Sequence, residues 1–177
     1  MILSCKEINI NKEIQYARIL DSILTQQESL TTSYDTTKIN NYIKTSEERI
    51  VLFESPILNN IEKKWLHHEK KVYQNISHKL KWFNKNVEGL YTQLNYSKFQ
   101  INALKKDLIH RHINKNEFQQ HFTEEQKALA KISASNKNLN KIYQENTNEF
   151  DSLEYKLEWV LSQLNELNKK HGNSTKK

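Results

Sequence analysis

From Phe118 to Leu167 the apolar residues recur at steps of three and four: Phe118, Phe122, Leu129, Ile132, Leu139, Tyr143, Phe150, Leu153, Leu157, Val160, Leu164 and Leu167. Glu125, Asn136 and Asn146 complete the frame. Twelve of these fifteen positions are apolar, against seven of the other thirty-five in the same span. A 3.5-residue repeat held this long specifies a helix that buries one narrow stripe against another helix in a left-handed coiled coil. A strand would alternate with period two, and this segment does not.

The preceding segment has the same habit. Ser55-Pro56 reads as a helix start, with Ser as N-cap and Pro in the first turn. Leu58, Ile61, Trp65, His68 and Val72 set a frame that returns at Phe83, Val87, Leu90, Leu94, Ser97, Ile101, Leu104 and Leu108. The eleven-residue step from Val72 to Phe83 predicts a stutter, a local unwinding of the supercoil. Gly89 lies inside this helix at a cost of ~1 kcal/mol relative to Ala. Between the two long helices, "HRHINKNEF" at 110–118 offers Asn114 and Asn116, which tolerate the left-handed conformation and can cap a helix. The second helix is expected to start near 116, or to restart near 123 on a Thr123–Gln126 capping box.

A short connection makes long helices antiparallel neighbours. A turn near 114 then puts residue 58 opposite about 170, giving arms of about 55 residues and ~80 Å each. Charge agrees with this pairing. Residues 62–85 carry seven Lys and two Glu, whereas 143–166 carry Glu145, Glu149, Asp151, Glu154, Glu158 and Glu166 against Lys156. Opposite charges flanking a seam favour the correct partner and orientation.

Composition closes off other folds. Two glycines and one proline are far fewer than the roughly twelve and nine of an average chain this long, and sheet or loop-rich folds need them at turns. The N-terminal third reads as two shorter helices, about 6–29 and 37–53, with Asp35 or Thr36 as the cap of the second. Neither buries its apolar face alone. Leu66, Tyr73, Ile76 and Leu80 lie off the main frame and form a second stripe suited to receive the N-terminal helices, and Tyr155, Trp159 and Leu161 add off-frame bulk on the other arm. The expected fold is all-α: a long antiparallel coiled-coil hairpin over 55–170, turning at 111–117, with a helical pair from 1–54 packed at its base and a disordered basic tail at 171–177. A two-helix stalk would extend from that base to the turn.

Several function classes find no support in the residues. Among the histidines, His67-His68 are adjacent and His110 and His112 two apart, whereas ligands sharing one ion on a helix need spacings of three or four. There is no Gly-rich phosphate loop, no Gly-x-Ser-x-Gly and no organised Cys/His pair. No enzyme, cofactor, metal or small-molecule substrate is therefore expected. Cys5 stands alone, the N-terminus has too short an apolar run for a signal peptide, and the longest such run, "IVLF" at 50–53, is far below the ~20 residues of a membrane span. An intracellular protein, cytoplasmic or nuclear, is expected, with the Asn-x-Ser/Thr sequences at Asn75, Asn95 and Asn173 accidental.

What remains is binding. A non-enzymatic scaffold or subunit of a larger assembly would dock partner helices on the stripes Leu66, Tyr73, Ile76, Leu80 and Tyr96, Phe99 (with Ala103), a hetero-complex being favoured over a homodimer. Asn136 and Asn146 would set register from within the seam. The alternative is electrostatic attachment to DNA or an anionic membrane. The net charge of +6 is uncompensated near the turn, at Lys105, Lys106, Arg111 and Lys115, and in the tail, at Lys169 and Lys170. The basic aromatic stretch 63–83 resembles a nucleic-acid surface, but its charge is balanced by the opposite arm and its aromatics fit packing stripes.

Overall fold

A computed structural model describes residues 10–55, 58 and 63–174, with side chains as far as 163. It is all-α. Helices α1 (Ile10–Thr32) and α2 (Thr36–Leu52) are followed by two long helices, α3 (Lys63–Ile109) and α4 (Lys115–Ser174), which pack together as a hairpin. Residues 6–9, 56–57, 59–62 and 175–177, parts of the expected first helix, of the Ser55-Pro56 helix start and of the basic tail, lie outside the described residues. Ser55 takes part in a turn, its carbonyl accepting from Leu58 N at 3.2 Å.

The turn between α3 and α4 is closed by two capping devices. His112 N donates to Asp107 O at 2.9 Å and Arg111 N to Leu108 O at 3.2 Å. Those bonds form a Schellman motif, whose left-handed residue is Arg111 at φ 58°. The left-handed position thus falls on Arg111, not on Asn114 or Asn116. Asn114 instead caps α4: its Oδ1 accepts from the N–H groups of Asn116 and Glu117, while Glu117 Oε2 accepts from Asn114 N at 2.8 Å. This is a reciprocal capping box. Thr123 starts nothing, because α4 is already formed there and its hydroxyl donates back to Gln119 O.

The chain divides into two compact units, the described residues up to 35 with 84–141, and 36–83 with those from 142 onward. In the first, α1 runs antiparallel to α3, through Asp21–Lys105 at 2.5 Å and Glu28–Lys98 at 2.9 Å. It runs parallel to α4, through the Tyr16–Phe122 ring contact and the Gln27–Asn136 hydrogen bond. In the second, α2 holds the same directions, through Glu47–Lys81 to α3 and Tyr42–Phe150 to α4. The expectation of a bare two-helix stalk reaching the turn is not met, because α1 is a third helix in the unit that contains it. Apolar stripes wider than two helices can cover explain this.

The stutter is also corrected. Along α3, besides Ser77, the buried positions are Glu69, Tyr73, Ile76, Leu80, Phe83, Val87, Leu90, Leu94, Ser97, Ile101, Leu104 and Leu108. These keep steps of three and four without interruption, so the seam passes through Tyr73 and Glu69 rather than Val72 and His68. Val72 is half-buried and His68 exposed. On α4 the sequence frame holds: Phe118, Phe122, Leu129, Ile132, Leu139, Phe150, Leu153 and Leu157 are buried. Phe83 meets Tyr143 and Tyr73 meets Glu154, close to the expected register.

Two backbone positions invite opposite substitutions. A Cβ on Gly89 would meet nothing within 4 Å, so Gly89→Ala should stabilise by about 0.5–1 kcal/mol. Relieving the left-handed Arg111 with Gly gains about 1–2 kcal/mol and loses about 0.4–1 kcal/mol to the freer unfolded chain. Arg111→Gly should therefore stabilise by about 0.5–1 kcal/mol net. Urea denaturation checks both; an unchanged or lower midpoint contradicts the assignment.

Candidate partner-docking surfaces

Tyr73, Ile76 and Leu80, expected to receive the N-terminal helices and also offered to an outside partner, are fully buried inside the second unit, where Tyr73 does meet the N-terminal segment. Tyr73 packs against Phe53 and Phe150, and its hydroxyl donates to Glu154 Oε1 at 2.8 Å. Arg49 of α2 reaches the same carboxylate with a fork, Nε to Oε1 at 3.0 Å and Nη2 to Oε2 at 2.7 Å. The Glu154 hydrogen bond raises the Arg49 pKa, while burial first and then Glu154 raise that of Tyr73. Leu66 is half-buried. Tyr73, Ile76 and Leu80 are core and cannot be offered to an outside helix.

The expected charge match between α3 and α4 is routed through α2. Lys70 pairs with Glu54 and Lys81 with Glu47, both on the α2 side, while Asp151 takes the Tyr42 hydroxyl and Lys38. The N-terminal segment brings its own charges to this packing, Glu47 and Glu54 among them.

Asn136 is completely buried, but it does not act across the α3–α4 seam as expected. Its Nδ2 has the Gln27 carbonyl at 3.1 Å, Gln27 Oε1 at 3.0 Å and Thr31 Oγ1 at 3.0 Å within donating distance. The Tyr34 hydroxyl donates to the Asn136 carbonyl at 3.2 Å. Tyr91 of α3 donates to Thr31 O at 3.2 Å. One asparagine thereby fixes where α1 ends against α4. Hydroxyls of Thr31, Thr32 and Ser33 satisfy carbonyls in the last turn of α1. Asn146 differs: Nδ2 donates to Ile142 O within its own helix, and its buried Oδ1 has no partner among the described residues.

Of the basic candidates near the turn, Lys105 is engaged with Asp21. Lys106, Arg111 and Lys115 are exposed. The side chains of Lys169 and Lys170 lie outside the described residues. His110 and His112 stack at 5.5 Å, and no group of three His, Cys, Asp or Glu among the described residues could hold a metal ion.

Two aromatic pairs stand out from the core. Tyr96 and Phe99, expected as a docking stripe, are 63% and 69% exposed in the first unit. Tyr155 and Trp159 are 75% and 60% exposed in the second. Spacings of three and four put each pair on one helix face. The latter pair, expected only as off-frame bulk on this arm, is left exposed, while the N-terminal segment packs Tyr42 on Phe150 and Phe53 on Tyr73. No helix among the described residues is long and apolar enough to cross a membrane. Comparison of the chain with family models, curated proteins and solved structures finds no match.

The two asparagines should respond oppositely to leucine. Asn136→Leu leaves the buried Gln27 Oε1 without its donor, while Tyr34 keeps the main-chain carbonyl, and should destabilise by about 1–3 kcal/mol, whereas Asn146→Leu removes an orphan acceptor and should be neutral or stabilising. Chemical denaturation of both variants tests this; equal losses refute the distinction. Burial also pushes the Tyr34 hydroxyl up to about 12 from 10.0. Because the folded-state value is the raised one, its contribution is fully present below pH 10 and lost as pH rises through 12. Stability curves over that window should fall less steeply for Tyr34→Phe than for wild type.

Proposed function

We propose that this protein is a non-enzymatic helical scaffold or subunit of a multi-protein assembly, and that it binds partner helices through exposed apolar stripes. The observation that carries the reading is the exposure of paired aromatics at helical spacing, Tyr96–Phe99 and Tyr155–Trp159, in units whose seams are otherwise filled. Single exposed apolar residues need no explanation, but adjacent large aromatics on one face offer a contiguous patch to a partner. A different helical chain is the preferred partner, and a second copy would use the same patches. The electrostatic alternative, attachment to DNA or an anionic membrane, keeps Lys106, Arg111 and Lys115 in its favour and loses Lys105 to Asp21.

Affinity purification at low and high salt separates these readings. Apolar docking should retain co-purifying chains at high salt, and the double variants Tyr96→Ser/Phe99→Ser or Tyr155→Ser/Trp159→Ser should lose them while keeping wild-type helicity and unfolding midpoint. Loss of all partners on raising salt, with the aromatic variants unaffected, would favour electrostatic attachment. Sedimentation at several protein concentrations identifies a second copy as the partner.

A further inference from the structure

Lys85, Gly89, Tyr96, Phe99 and Ala103 follow one another along α3 at steps of four, seven, three and four. At about 100° per residue, this line lies roughly opposite the buried one through Leu90, Leu94 and Ile101. Lys98 and Lys105 reach Glu28 and Asp21 from its flank, so within the first unit α1 leaves the line uncovered. Gly89 weakens the helix it sits in, yet a Cβ there would meet nothing within 4 Å, so no contact among the described residues calls for glycine. The ends of the line carry both signs of charge in matching places. Lys85 and Glu88 stand before Tyr96, and Lys106 and Asp107 after it. Lys85, Glu88 and Lys106 are exposed and make no ion pair among the described residues. The Asp107 side chain is 49% exposed, with the His112 ring at 3.8 Å.

We infer that the Tyr96–Phe99 face of α3 binds the same face of a second copy of this chain, antiparallel, about a two-fold axis beside Tyr96. Charge selects this occupant. Lys85 and Asp107 lie eleven residues either side of Tyr96, and Glu88 and Lys106 lie eight and ten. Turned about the axis, Lys85 therefore meets Asp107 of the other copy and Glu88 meets Lys106, each to within one residue. A face that is neutral in sum and reversed in sign from end to end complements itself. A parallel pairing in register would set Lys85 on Lys85 and Glu88 on Glu88. Gly89 falls opposite Ala103, and two small residues let the backbones approach on either side of the rings. The rings of both copies supply the apolar centre. One helix face is at the small end of interface sizes, so dissociation in roughly the micromolar range is expected.

Resting on the partner-helix reading, this pairing names the partner at one face and leaves Tyr155–Trp159 to a different chain. Sedimentation equilibrium of the full-length chain at low salt should show monomer and dimer exchanging across the micromolar range. Glu88→Lys and Lys106→Glu, both at exposed positions, should each weaken dimerisation by about tenfold, because two repulsive contacts replace two attractive ones. Mixing the two single variants should restore wild-type affinity, since every contact in the mixed dimer again joins opposite signs. The double variant Glu88→Lys/Lys106→Glu should restore it within one chain. Tyr96→Ser/Phe99→Ser should remain monomeric, with helicity unchanged by circular dichroism. A wild-type chain that stays monomeric, a dimer indifferent to these charges, or single variants that do not complement each other would overturn the assignment. If the wild type is monomeric while Tyr96→Ser/Phe99→Ser abolishes co-purification of another chain, the self-pairing falls and the scaffold reading stands. If the dimer behaves as expected and no other chain co-purifies, the self-pairing stands and the different partner falls.

Discussion

The fold depends on a helix face wider than one neighbour can cover. A chain this polar forms long helices only if their apolar stripes are buried, because propensity alone leaves isolated helices marginal. Each buried seam side chain is worth roughly 1.5–3 kcal/mol, but α3 and α4 also present residues beyond their shared stripe. Within the first unit α1 covers these, and within the second α2 does so. In each, the third helix runs antiparallel to α3 and parallel to α4. That arrangement accounts for the burial of Ala17, Leu20 and Leu24 on α1 and Ile39 on α2.

Polar groups inside these seams play unlike parts. Asn136 is enclosed by partners on α1, so the cost of burying it is offset and the position of α1 is fixed. Glu154 is similarly held by Arg49 and Tyr73. Asn146 and Glu125 each leave one buried oxygen without a donor among the described residues. The difference lies in geometry rather than residue type: Asn136 faces the hydroxyls and amides near the end of α1, whereas Asn146 turns back onto its own helix.

Charge near the α3–α4 turn follows the same lesson. Counting residues gives a basic segment, yet Lys105 is spent on α1, and the carboxylates of Asp107, Glu124 and Glu125 gather on another side. Helical rotation sorts like charges onto different faces, so the sign of a segment and the sign of a surface can differ. The exposed Tyr96 adjoins this acidic face.

The helices, the antiparallel pairing of α3 with α4 and the α4 seam from Phe118 to Leu157 are legible in the residues alone, with Asn114 one of two asparagines offered for the α4 start. These are local properties: period, capping chemistry and connection length are written in neighbouring residues. Packing in three dimensions selects which of two adjacent stripes on α3 is the seam, Glu69–Tyr73–Ile76–Leu80 rather than Trp65–His68–Val72. It also decided that Asn136 meets α1, and that Arg111, not an asparagine, takes the left-handed turn. Stripes one residue apart differ by only ~100° of rotation, and apolar content alone does not choose between them. The choice belongs to whatever packs against the third side, and here that is a helix from far away in the chain.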